Sequence, residues 1–337
     1  MNQRKHILTG IIAAVAMLVL ILDGKTSIQG AIEGIELCLY TVIPSLFPFI
    51  FLSALMNSSL NITKTSIFLP LGRLCKLPAG SESILILGLL GGYPVGAEII
   101  RQAYDRGQID KEDGLRMLAF CSNAGPAFIF GMTSQLFSSK LIPWLIWGIQ
   151  ILSAIIVGIL VPRYSKSKSN FVQAPPLPIS HALTRSIRVT ATICGWVILF
   201  RIILLFSNRW FLWLLPSLPQ KIIAGILEIV NGCTGLKDIS SEGLRFILCC
   251  AFLTFGGLCV TMQTATITGE LGCKSYLKGK LLQSSISILF AFLIQSLAFT
   301  NEHRIHIPFG FVFCCVLLSL CSISIIYWKK LWISEYK

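Results

Sequence analysis

The stretch Leu89-Leu90-Gly91-Gly92-Tyr93-Pro94-Val95-Gly96-Ala97 sets three glycines and a proline into six consecutive positions of an apolar run. Proline removes a backbone donor and glycine weakens a helix, so the helix is expected to break here. Backbone broken at membrane depth is tolerated only where protein buries it or where it lines a cavity. The break would offer free N–H and C=O groups to a polar ligand, with the hydroxyl or ring of Tyr93 beside them and Glu98 close by. Helix packing through Gly91, Gly92 and Gly96 is the plainer alternative, but it accounts for little of Pro94.

Three further constellations carry polar groups into apolar surroundings. In Ser122-Asn123-Ala124-Gly125-Pro126, Asn123 can donate and accept toward a ligand and Pro126 ends a helix. The alternative is an asparagine cap on a half-helix, whose N-terminus would itself attract an anion. Glu228, with Asn231 and Gly232, lies well inside an apolar segment, where an acid must be paired or functional. It is a candidate site for a coupling proton or sodium ion, or one half of a structural bridge to Arg201 or Arg245. Arg201 itself sits within a span (Val197-Ile-Leu-Phe-Arg201-Ile-Ile) and is a candidate contact for an anion, with snorkelling as the alternative. Gly256-Gly257 and Gln263 complete a last break that could equally be a packing face. The segment 101–116, with four cations and four acids, reads as a solvated turn.

The elements that must position these residues follow from composition. The chain has 337 residues, 54% hydrophobic and 13% charged, against about 25% charged in soluble domains. Its mean hydropathy is +0.77. Apolar runs of about 20 residues recur, which is the pattern of an all-α, polytopic helical membrane protein. The net charge of +13 lies in tails and loops, where it sets topology and meets the lipid bilayer. No nucleic-acid partner is expected. The run 7–22 is expected to be a retained first span. Most of the 12 cysteines fall in apolar runs without CxxC spacing, so they read as small hydrophobes and not as metal ligands.

The apolar segments are 7–22, 37–57, 83–99, 117–133, 141–161, 186–206, 219–232, 246–262, 279–299 and 307–328. Segments 83–99, 117–133 and 219–232 are short or interrupted. The stretch 63–78 mixes Lys64, Arg73 and Lys76 with apolar residues and is expected at the membrane interface, as is Trp210-Phe-Leu-Trp213. Residues 162–182 form a basic, then Pro-rich linker. The chain therefore divides into an N-terminal span and loop (1–30), a first half (31–161), the linker (162–182), a second half (183–300) and a C-terminal span with a basic tail (301–337). Each half runs span, broken segment, charged turn, apolar segment, span, with Leu115-Arg116 matching Leu244-Arg245. Paired broken segments at matching places in two halves are the pattern of an inverted-repeat transporter. The positive-inside rule puts both termini and the linker on one side. That needs an even number of crossings in each half. Counting every segment gives five and five, and taking the broken pairs as re-entrant gives three and three, so crossing number stays open.

No GxSxG, HExxH or P-loop motif is present. No enzyme, metal or cofactor is expected.

Gly91-Gly-Tyr-Pro-Val-Gly-Ala97, the charged turn, and Leu118-Ala-Phe-Cys-Ser-Asn-Ala-Gly-Pro-Ala-Phe-Ile-Phe-Gly131 together resemble the sporulation integral membrane protein YlbJ family, with its nucleoside-recognition "Gate" domain. Phe255-Gly256-Gly257-Leu258 and Gln263 resemble that family's second half, and the likeness covers roughly residues 30–300. The second-half break, Asn231-Gly232-Cys233, lacks the proline of the first. The resemblance implies a relative of concentrative nucleoside transporters that moves dipicolinic acid across the mother-cell-derived membrane around the forespore. It leaves two rivals, a nucleoside transporter and a non-transporting scaffold for the spore envelope. A homo-oligomer or a sporulation membrane partner is compatible with each. Half-helix termini, Tyr93, Asn123 and Arg201 would suit a planar dianion.

Overall fold

The computed structural model describes residues 2–59, 69–78, 80–163 and 178–298. The expected segment 307–328, Cys314, Cys315 and Cys321, and most of the linker lie outside the described residues, as does the first part of 63–78. Every described element is helical.

Among the described residues, five helical stretches are long and apolar enough to cross a membrane: Gly24–Met56, Ile142–Leu160, Ile179–Trp210, Glu242–Leu271 and Lys274–Gln295. The first is longer than the expected span at 37–57. Helix α2 (Gly24–Leu37) runs through one π turn at Cys38–Val42 into α3 (Ile43–Ser59). Pro44 and Pro48 remove two backbone donors in that region, and the wider turn sits where the first would have bonded. Helix α1 (Asn2–Leu22) precedes this pair, with a shorter apolar part, Ile7–Leu22.

The segments read as broken are broken, but the break expected at Asn231-Gly232-Cys233 falls at Glu228, and those three residues lie inside the helix Ile229–Gly235, which the Glu228 side chain caps. Helix α4 (Leu69–Leu74) leads to α5 (Glu82–Leu90) and α6 (Val95–Asp105), then α7 (Lys111–Leu118) and α8 (Pro126–Thr133), before the long α9 (Ile142–Leu160). The second series begins with long α10 (Ile179–Trp210), continues with α11 (Ser217–Leu227) and α12 (Ile229–Gly235), then α13 (Glu242–Phe255) and α14 (Gly257–Thr268), and ends with α15 (Lys274–Ala298). Helix α7 starts at Asp110, whose carboxylate accepts from the Asp113 N–H at 2.7 Å, and α13 starts at Ser241, which accepts from Leu244 N–H at 3.2 Å. Both are side-chain caps of a helix N-terminus.

Helix α2 packs along α10 through a small-residue face. A Cβ on Gly30 would sit 2.9 Å from Ile202 Cα, and one on Gly34 would sit 2.8 Å from Ile198 Cα. Glycines four apart let two helices approach at backbone distance in a medium that gives no hydrophobic drive. Trp210, Phe211 and Trp213 at the end of α10 are exposed, as an interfacial anchor requires. The nine described cysteines are free thiols, and seven are buried.

The charged segment 101–116 is only partly solvated. Asp113 and Arg116 are buried, at 1% and 2% exposure. Asp113 accepts a two-point ion pair from Arg163 at 2.8 and 2.7 Å. Arg116 donates to the carbonyls of Val161, Lys76, Cys75 and Gly158. These carbonyls end α9 and the turn after α4, so the guanidinium supplies the donors that terminal helix carbonyls lack. The charge balance of the segment concealed this.

Candidate functional site at four converging helix breaks

The first break is Gly91–Pro94, between α5 and α6. Gly92 has φ +83°, and the Tyr93–Pro94 peptide bond is cis. The second is 119–125, between α7 and α8. The third is the single extended residue Glu228, between α11 and α12. The fourth is Gly256-Gly257, between α13 and α14, with φ +80° and +79°. A left-handed backbone at two successive residues needs glycine at both.

The breaks rest on one another in pairs. A Cβ on Gly92 would lie 3.1 Å from Gly125 N, and one on Gly257 would lie 3.2–3.3 Å from the carbonyls of Gly225, Ile226 and Leu227. Tyr93 joins the two pairs. Its hydroxyl donates to Thr254 O at 2.9 Å, and a Cβ on Gly256 would meet its ring at 3.3 Å. The Thr254 carbonyl is one that the α13 terminus leaves unpaired, so the tyrosine satisfies it in the absence of water. Asn123 works the same way: its Nδ2 donates to Phe120 O at 2.8 Å. It does not cap α8, whose N-cap is Gly125.

Between the pairs lies a small cavity of about 30 Å³, lined by Tyr93, Gly125 and Glu228 from the breaks, by Gln263 of α14, and by apolar residues such as Leu46 of α3 and Val197 of α10. Of the residues singled out from sequence, these four line the cavity. Gly91, Gly92, Gly96, Gly232, Gly256 and Gly257 serve close packing. A Cβ on Gly91 would lie 2.8 Å from Ser53 Oγ, one on Gly96 would overlap the Cys121 carbonyl, and one on Gly232 would overlap Gly225 Cα. Pro94 and Pro126 start α6 and α8. Ser122 is fully buried, and its hydroxyl has no partner among the described residues. Gly96→Ala is accordingly expected to destabilise the protein by about 1–3 kcal/mol through overpacking. Gly148→Ala, with nothing within 4 Å of the added carbon, should leave the melting temperature in detergent unchanged or raised.

Arg201 and Asn231 stand elsewhere, in a wider crevice of about 530 Å³ shared with Glu33 and Glu36 of α2. Arg201 Nε donates to Glu33 Oε2 at 2.8 Å, and its terminal nitrogens donate to Glu33 Oε2 and Asn231 Oδ1. Asn231 in turn donates to Glu228 Oε2 from its backbone N–H at 2.8 Å and from Nδ2 at 2.7 Å. A continuous polar chain thus joins crevice to cavity. Glu228 reaches Arg201 only through Asn231. Arg245 takes no part in it: it donates to Leu136 O at 3.0 Å.

The residue that sequence reasoning missed is Lys280. It lies fully buried on α15. Its ammonium donates to Asn123 Oδ1 at 3.0 Å and Gln283 Oε1 at 2.6 Å. It also stands over the rings of Tyr93 and Tyr276, at 5.2 and 5.8 Å from their centroids. Gln283 Nε2 donates to Asn123 Oδ1 at 2.8 Å and Gln150 O at 3.2 Å, and Gln150 Nε2 donates to Ala124 O at 2.7 Å. Lys280 forms no ion pair with a carboxylate among the described residues. At the edge of its apolar run it reads as a flanking cation. The available signal was Lys280 and Gln283 three apart, on one helix face.

The chain is 22% identical to the sporulation integral membrane protein YlbJ of Bacillus subtilis (strain 168), over 86% of this chain and 82% of that one. No family model matches it, and no solved structure matches it. The similarity runs along most of both chains and is carried here on a helical membrane architecture.

Proposed function

We propose that this protein is a secondary-type transporter that moves a small organic anion, dipicolinate, across a membrane surrounding the forespore. The observation that carries the reading is Lys280, a buried ammonium with neutral partners beside the second helix break. A buried charge is tolerated when it is paired, and an anion would supply the missing partner. The Tyr93 and Tyr276 rings beside it suit a planar aromatic molecule. The repeated order of long helix, two broken pairs and long helix supports two Gate-like halves, and broken helices that meet at one cavity are the transporter pattern.

The test is uptake of labelled dipicolinate by vesicles carrying the protein, beside Asn123→Ala inserted at equal level. Asn123→Ala removes the acceptor shared by Lys280 and Gln283. Leaving such groups unpaired costs about 1–3 kcal/mol, so uptake should fall about 10- to 100-fold. Uptake of a nucleoside instead of dipicolinate would replace the anion reading. Silence toward both, with normal insertion, would favour a scaffold for spore-envelope assembly.

A further inference from the structure

We propose that Glu228 is a proton site which couples proton entry to anion entry; this deepens the anion-transport reading and rests on it.

The geometry has three parts. Glu228 is on the wall of the cavity, and it is 1% exposed. Asn231 holds one of its oxygens by two hydrogen bonds and itself faces the crevice. Arg201 bonds both Asn231 and Glu33. The groups that face Glu228 from the surrounding elements are Arg201 of α10, Cys38 of the π turn, Cys259 of α14 and, on its own helix, Cys233, with Glu33 of α2 beyond Arg201. Arg201 is the one cation among them, and Glu33 already neutralises it. The carboxylate of Glu228 is therefore a negative charge on the cavity wall whose nearest cation is shared with Glu33.

Two like charges at close range in a medium of low dielectric repel strongly. A proton on Glu228 removes that repulsion, and the anion in turn raises the affinity of Glu228 for the proton. Such linkage is reciprocal: each ligand favours the other by the same factor. Anion affinity is then higher at low pH and falls as pH rises through the titration of Glu228. A metal cation is a poorer fit for the same place. Hard cations take about six oxygen ligands, whereas Glu228 is flanked on the cavity wall by Ile229, Val230 and Val260. Among the described residues no three His, Cys, Asp or Glu side chains cluster to hold one.

The experiment uses the full chain in liposomes with a lumenal pH dye, labelled dipicolinate outside, the membrane potential clamped, and protein-free liposomes as control. Wild type should acidify the lumen as label enters. A lumen one pH unit more alkaline than the bath should accumulate label about tenfold above its external concentration, as one coupled proton allows. Glu228→Gln should lose both the acidification per labelled molecule and the response to the gradient, and Glu228→Asp should keep them. Label uptake in wild type that ignores the pH gradient would overturn the coupling and leave the transport reading standing, as would proton entry per label unchanged in Glu228→Gln. No label uptake under any gradient would overturn both. Should neither variant insert, the wild-type gradient measurement decides.

Discussion

Lys280→Met is expected to lower dipicolinate uptake at least 100-fold while leaving the melting temperature of the detergent-solubilised protein unchanged or raised. Two opposite effects of one buried charge produce this divergence. In the empty site the ammonium is desolvated, and its partners are two amide oxygens and two ring faces. Replacing buried ionic groups by an apolar side chain of similar volume is often neutral or stabilising by about 1–4 kcal/mol. Gln283 still donates to Asn123 Oδ1 at 2.8 Å in the variant, so that acceptor is not orphaned. In the filled site the same ammonium would be the counter-charge of the anion. Breaking a buried pair by removing one partner costs about 3–5 kcal/mol, which is more than a hundredfold in affinity. A purely structural lysine would show the reverse: a lower melting temperature and intact uptake. Lys280→Arg is not expected to rescue, because the planar fork of a guanidinium cannot reproduce the compact three-donor geometry that Asn123 and Gln283 receive. Uptake and thermal melting measured on the same preparations decide between the two roles.

Arg116→Met is expected to prevent accumulation of folded protein. The Arg116 guanidinium donates to four carbonyls at 3.0, 3.3, 2.5 and 2.7 Å, and it lies over the Phe120 ring at 5.3 Å. Those carbonyls lie at or just beyond the ends of α9 and α4, where the helix itself supplies no donor. Each orphaned acceptor costs about 1–3 kcal/mol, so the sum compares with the whole stability of a domain, about 5–15 kcal/mol. Arg116→Lys should recover part of this, since three donors on a shorter head cannot serve four acceptors. Arg245, at the matching place in the second half, donates one bond, to Leu136 O. Arg245→Met should therefore lower the melting temperature by a few degrees and still accumulate. Membrane-fraction immunoblots with thermal melts of the soluble variants measure all three. Equal accumulation of Arg116→Met and wild type would show that the carbonyls find other donors.

The contrast between Arg116 and Lys280 shows where sequence reading reached its limit. Each is a cation beside an apolar run, and each reads as a flanking charge. Arg116 is spent wholly on the fold: its acceptors come from α9 and from the turn after α4. Lys280 meets an asparagine 157 residues away and keeps no charged partner. Arg201 goes the other way. Its place inside a span made it a candidate for an anion, but Glu33, 168 residues distant, neutralises it at the crevice.

What the sequence determined by itself was everything local in origin. The helical membrane class follows from hydropathy. The positions of three of the four breaks follow from glycine and proline, which act on their own turn of backbone, and Glu228, the fourth, stood out because an acid in an apolar segment must have a purpose. The tertiary structure decided which glycines only let backbones touch, which breaks share a cavity, and which cation keeps an unpaired charge. Those facts depend on pairings between helices far apart in the chain, and such pairings leave no mark on the composition of either segment.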